Sequence, residues 1–109
     1  MLVFKLLSCP ELKVKFDYSE QDSAPKQPGC YVITTFDGTI LYIGQTNNIC
    51  NRMEQHLDKK EKTKRTPSGM PYWFYYKLCD VSDLTSSENA WINEYKLNSN
   101  GKRPHFNKR

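Results

Sequence analysis

Two tyrosines, an arginine, a histidine and a glutamate are spaced in this 109-residue chain so that they could share one reaction centre. Tyr31 and Tyr42 stand on either side of Asp37-Gly38, within two runs rich in β-branched and aromatic residues, 30–36 and 39–44. Such runs flanking Asp-Gly predict a tight hairpin, because both turn residues tolerate a positive φ, and a hairpin brings the two phenols close together. Arg52 and His56 are four apart and so share one helical face, offset from the apolar line Ile49, Met53 and Leu57. Glu88 falls on the stripe of Trp91, Ile92 and Tyr95 in a second helical pattern. The guanidinium offers a planar, permanently charged fork suited to phosphate. A carboxylate on an inward helix face is either paired or bound to a cation. One carboxylate is enough for a divalent ion that keeps most of its waters. The phenols and the imidazole can hold or move a proton, although a phenol with a pKa near 10 is a poor base until positive charge lowers it.

Each of these residues also has a plainer use. Tyr31 and Tyr42 could be cross-strand packing, the usual fate of hairpin tyrosines. Arg52 could be a surface helix residue, and His56 a satisfied histidine without a catalytic part. Thr85-Ser86-Ser87-Glu88 reads as a capping box, in which Glu88 would bond the backbone of Thr85.

The elements that must position these groups follow from period and punctuation. The stretch 18–28 is rich in Ser, Asp, Gln and Pro and predicts a loop behind an N-terminal strand. The first helix begins near Asn47 or Asn48 and fades into the basic run 59–65, expected to be a mobile loop. The aromatic segment 72–78 predicts a third strand, its side chains forming core rather than a base-stacking platform. The second helix spans about 85–97 and is closed by Asn98-Ser99-Asn100-Gly101. A short basic tail then packs back through Phe106. The expected fold class is α+β, a small antiparallel sheet of three or more strands flanked by helices. Residues 1–27 form an N-terminal extension and 28–109 the main domain.

Composition bounds the rest. One modest core is the limit for a chain of this length. Charge is uneven: residues 1–58 balance to −2 and residues 59–109 to +6. A basic back half fits a polyanion contacted by one side of the molecule. Lys59, Lys60, Lys62, Lys64, Arg65, Lys102 and Arg103 are the candidates for that contact, set against the plain reading of a solvated basic surface. The four cysteines match no zinc or redox spacing, so free thiols in a reducing compartment are expected. No stretch reaches the length of a membrane span, no export signal is visible, and a cytoplasmic location is expected.

Taken in order, Gly29-Cys30-Tyr31, Tyr42-Ile43-Gly44, the helical Arg52, Glu88-Asn89-Ala90-Trp91-Ile92 and Pro104-His105-Phe106-Asn107 resemble the GIY-YIG nuclease family. The fourth looks like its Glu-x-x-Leu-Ile pattern with Trp for Leu, and the fifth like its Pro-x-Tyr-Asn ending with Phe for Tyr. The resemblance covers about residues 28–107. Cys30 departs from the middle Ile of the first motif, and the interval from Glu88 to Asn107 is longer than usual, with 98–102 as the inserted piece. The resemblance implies a metal-dependent endonuclease cutting phosphodiester bonds in DNA, with RNA left open. Its catalytic residues would be Tyr31, Tyr42, Arg52, Glu88 and Asn107, with one Mg²⁺ or Mn²⁺ on Glu88; His56, added from its place four residues after Arg52, would orient the tyrosines or share the proton traffic. Either tyrosine could accept the proton of the attacking water. A protein partner or a homodimer would serve double-strand cleavage. The rivals are a non-catalytic nucleic-acid-binding module of the same fold and a subunit active only with a partner.

Overall fold

The computed structural model describes residues 1–59 and 62–107. Four strands form one antiparallel sheet: β1 (Leu12–Lys15), β2 (Gly29–Thr34), β3 (Ile40–Thr46) and β4 (Trp73–Leu78), in the order β1-β4-β2-β3. Helix α1 (Ile49–Leu57) follows β3, and helix α2 (Leu84–Leu97) follows β4. The α+β expectation is met, with the N-terminal segment supplying the fourth strand through β1 on β4.

The sheet is covered on both faces. α1 inserts Ile49, Met53 and Leu57 beside Tyr31, Ile33 and Phe74 on one side. Burying each such aliphatic side chain contributes about 1.5–3 kcal/mol. On the other side Leu84 and Trp91 of α2 pack on Cys30, Val32, Ile43 and Tyr75, with Val3 and Leu6 from the N-terminal segment. The Trp91 indole N–H donates to the Ser8 carbonyl at 3.2 Å, so residues before β1 help to close this layer. All six residues of β2 are buried. That explains why its sequence is a continuous apolar run rather than an alternating one.

The hairpin turn is wider than Asp-Gly alone predicts. Thr35 and Thr39 remain paired, the Gly38 N–H donates to the Thr35 carbonyl at 3.0 Å, and the loop is Phe36–Gly38. Only Gly38 of the Asp-Gly pair takes a positive φ, 94°. This is the three-residue turn that ends in a left-handed glycine. α1 begins as expected, with the Asn48 side chain accepting the Asn51 N–H at 3.0 Å. The capping box at Thr85 does not form: α2 starts one residue earlier, at Leu84, and its N-cap Asp83 makes no side-chain cap bond. Among the described residues no helix is long and apolar enough to cross a membrane.

Candidate active site

The sheet end where β2 begins and β3 finishes gathers the residues singled out by their spacing. Tyr31 pairs with Gly44 across β2 and β3, and Ile33 pairs with Tyr42, so both tyrosines project from the α1 face. Their rings stack at 5.9 Å, and Phe74 of β4 stacks beneath Tyr31 at 4.9 Å. Tyr31 is fully buried, whereas Tyr42 is half-buried.

Gly44 is what lets Tyr31 lie there. A methyl group on Gly44 would stand 2.5 Å from the Tyr31 hydroxyl oxygen and 2.6 Å from its ring carbon. The phenol therefore occupies the space that any side chain at position 44 would need.

The Tyr31 hydroxyl and His56 Nε2 share a hydrogen bond of 2.7 Å, and the His56 ring meets Tyr42 edge-on at 4.9 Å. His56 Nδ1 is buried with no hydrogen-bond partner among the described residues, an arrangement that costs on the order of 1–3 kcal/mol. Burial, then the charges of Lys62, Arg52 and Lys59, push the imidazole down to about 3. Burial and the neighbouring Tyr42 push Tyr31 well above the ordinary phenol value, with the Arg52 guanidinium beside it working the other way. Both partners of the pair are thus neutral at pH 7, and the positive charges around them are left without an anion from this pair.

The depressed imidazole has a consequence for stability. The unfolded chain binds a proton at this position near pH 6.5 and the folded chain only near pH 3. Stability from this group is complete above pH 6.5 and is lost as the pH falls toward 3, by up to about 1.4 kcal/mol per unit. Urea unfolding at pH 7 and pH 5 should show a drop for wild type that is largely absent in His56→Gln. Parallel losses in the two proteins would rule the origin at His56 out.

Lys62 is placed differently from its sequence expectation. Rather than waving in a solvated loop, it is 9% exposed, with its ammonium 4.5 Å from the Tyr42 ring centre and 5.8 Å from that of Phe106. A cation over an aromatic face is held by the ring quadrupole. Lys59, Lys64, Arg65, Lys102 and Arg103 are exposed as expected, and Lys60 lies outside the described residues.

Glu88 does not share the tyrosines' face. It comes to β3 from the α2 side, where the Gln45 amide donates to its Oε1 at 3.0 Å. Gln45 directly follows Gly44, so the carboxylate and the Tyr31 hydroxyl approach neighbouring residues of one edge strand from opposite faces. The capping alternative for Glu88 is set aside by this bond. Asn107 occupies the outer rim of the same strand. Its side chain accepts the Ile43 N–H and donates to the Ile43 carbonyl, each at 2.8 Å. With both ends of the amide engaged, Asn107 clamps β3 at Ile43. The longer interval before it is a turn in which Asn100 and Gly101 take φ of 56° and 81°, after which Phe106 packs back and donates its N–H to the Leu41 carbonyl.

A carboxylate steered by an amide at a sheet edge suits a hydrated divalent ion, since one protein ligand leaves the other positions to water and substrate. Among the described residues no group of three or more His, Cys, Asp and Glu side chains offers a fuller cage. Sequence reasoning missed three contributors: Gln45, Gly44 as the space for Tyr31, and Lys62 as a buried cation. Only Gly44 had a visible sign, its place at the end of the Tyr-Ile-Gly run.

The edge strand β3 thus carries Tyr42, beside Tyr31, His56 and Arg52, on one face, and Gln45, which steers the Glu88 carboxylate, on the other. The chain belongs to the GIY-YIG catalytic domain family, whose model matches residues 27–102. It is 36% identical over 76 residues to the UvrABC system protein C of Mycoplasma genitalium, covering 68% of this chain and 13% of that relative. The chain therefore spans about an eighth of the length of that relative. The fold matches the N-terminal endonuclease domain of UvrC from Thermotoga maritima, solved as a point mutant bound to its catalytic divalent cation. The TM-score is 0.61, at 18% identity, over 84% of this chain and 93% of that one. A second structure of that domain, bound to magnesium, gives 0.60, at 18% identity, over 83% and 93%.

Proposed function

We propose that this chain is a divalent-cation-dependent endonuclease that hydrolyses phosphodiester bonds of DNA at the outer edge of β3. The observation that carries the reading is the grouping of Arg52, Lys59 and Lys62 around a buried, neutral Tyr31–His56 pair, formed between β2 and α1 beside the strand β3 whose Gln45 holds Glu88 from the other face. Positive charge beside uncharged hydrogen-bonding groups in a partly dry site favours an entering phosphate, because preorganised cations there need no rearrangement as charge develops. Arg52 supplies the fork for the phosphoryl oxygens, and Lys62 adds a fixed charge over Tyr42. Tyr42 is the phenol that faces the substrate; Tyr31 keeps its proton and orients His56. Glu88 would hold the ion, Mg²⁺ or Mn²⁺ by analogy with the magnesium-bound neighbour. A bound divalent cation neutralises phosphoryl charge and makes a coordinated water more acidic.

Nicking of supercoiled plasmid tests the reading. Wild type cuts in Mg²⁺, chelation by EDTA stops it, and Arg52→Ala and Glu88→Ala bind the plasmid without cutting. Plasmid binding with no cleavage by wild type in either cation would instead favour a non-catalytic module of the same fold.

The exposed basic residues should carry the salt dependence. Changing Lys64, Arg65, Lys102 and Arg103 to Ala lowers the slope of log affinity against log salt by about one for each phosphate that is no longer neutralised. A slope equal to that of wild type would remove both segments from the DNA-facing side.

A further inference from the structure

On the α2 side of the sheet, opposite the Tyr31–His56 pair, a cavity of about 200 Å³ opens beneath the start of α2 and is lined by Cys30, Cys79, Lys77, Ser86, Ser87 and Trp91. Two of its walls are thiols, Cys30 of β2 and Cys79 just past the end of β4. Cys30 stands directly opposite Lys77 in the β2–β4 ladder, and the Cys79 N–H continues that ladder to the Pro28 carbonyl at 3.3 Å. Cys30 and Cys79 therefore take diagonal places on the same sheet face, where both side chains line the one cavity and pack in the same cluster. Cys30 is buried, with its thiol 3.5 Å from the Leu84 carbonyl, while Cys79 is partly open. Burial first, and the adjacent Cys79 second, push the Cys30 thiol up to about 12. The pair thus divides into an accessible thiol and a withheld one.

We propose that Cys30 and Cys79 form a two-electron oxidation site that a hydroperoxide closes into a disulfide between β2 and β4. In the first step the Cys79 sulfur attacks a peroxide oxygen, the O–O bond breaks, and the reduced half departs as water or alcohol, leaving Cys79 as a sulfenic acid. In the second, the Cys30 sulfur attacks the Cys79 sulfur and expels its hydroxyl as water, taking up the proton that Cys30 gives away. Two electrons pass from the sulfur pair to the peroxide, and the two thiol hydrogens leave in the products. The staple ends one residue before Tyr31 and lies on the face from which Glu88 approaches β3.

The full chain, reduced and then treated with hydrogen peroxide, should lose two hydrogens in intact mass and regain them with dithiothreitol. Tryptic digestion should join the peptides 27–52 and 78–96 through Cys30 and Cys79. The same bond should form in a Cys9→Ser, Cys50→Ser protein and should vanish in Cys79→Ser, whose fold is checked by circular dichroism. A joined peptide carrying Cys9, or a link between 27–52 and 78–96 that disappears in the Cys9→Ser, Cys50→Ser protein, would overturn the assignment. So would an oxidised protein in which Cys30 and Cys79 both still react with iodoacetamide after unfolding.

Discussion

Glu88→Gln lowers the nicking rate by at least about a hundredfold, on the order of the loss seen when one preorganised charge-stabilising group is removed from an active site, while leaving the fold intact. Glutamine has nearly the shape of glutamate and can still accept the hydrogen bond that Gln45 donates to Oε1. The substitution therefore removes the charge and little else. A neutral amide is a weak ligand for a hard divalent cation, so the loss should be partly recovered at high Mn²⁺ and hardly at all at high salt alone. Rates in increasing Mg²⁺ and Mn²⁺, with a melting curve beside them, make the measurement. A variant that cuts at close to the wild-type rate at low Mg²⁺ would mean that the ion is held elsewhere, and the proposed reaction centre would have to be redrawn.

Gly44→Ala is the second large effect, and it acts through space rather than backbone. Positive φ occurs at Gly38, Gly69 and Gly101 but not at Gly44, so alanine suits the local conformation. The added methyl would sit 2.5 Å from the Tyr31 hydroxyl, 2.6 Å from the adjacent ring carbon and 2.8 Å from the Tyr42 ring. Tyr31 cannot yield easily, being pinned between the stacked Phe74 ring and the His56 hydrogen bond. Overpacking of this kind costs about 1–3 kcal/mol. A chain of this size should melt several degrees lower, at about 4–8 °C per kcal/mol. Nicking falls with it, because the displaced phenol no longer meets His56 Nε2. Removing the hydroxyl in Gly44→Ala, Tyr31→Phe should restore part of the stability and none of the activity. A single variant as stable and as active as wild type would show that the phenol has another place to go.

How much of the molecule is legible in its sequence depends on how local the cause is. The hairpin, both helices and the β4 strand follow from period and turn residues acting over a few positions. The convergence of Tyr31, Tyr42, Arg52 and His56 follows from two such local rules, a hairpin and an i,i+4 spacing. Glu88 could be assigned to the inward stripe of its helix, but not to a sheet face, because the side on which a helix packs is decided by the connection and not by the helix. The capping motif at Thr85 misled for a related reason: the turn at Val81–Asp83 leads into the helix one residue earlier than a Thr85 cap requires. Lys62 was unreadable. Its burial depends on Phe106 returning from the far end of the chain to complete the aromatic wall beside Tyr42.

The clamp at Asn107 also bears on how the molecule behaves in company. β3 is an outer strand, and an outer strand normally presents unpaired N–H and C=O groups to which another chain can add. By engaging both backbone groups of Ile43, the Asn107 amide withdraws the middle of that strand from such pairing. Strand addition from a neighbouring molecule would have to dislodge the tail first, so this rim refuses a second polypeptide strand.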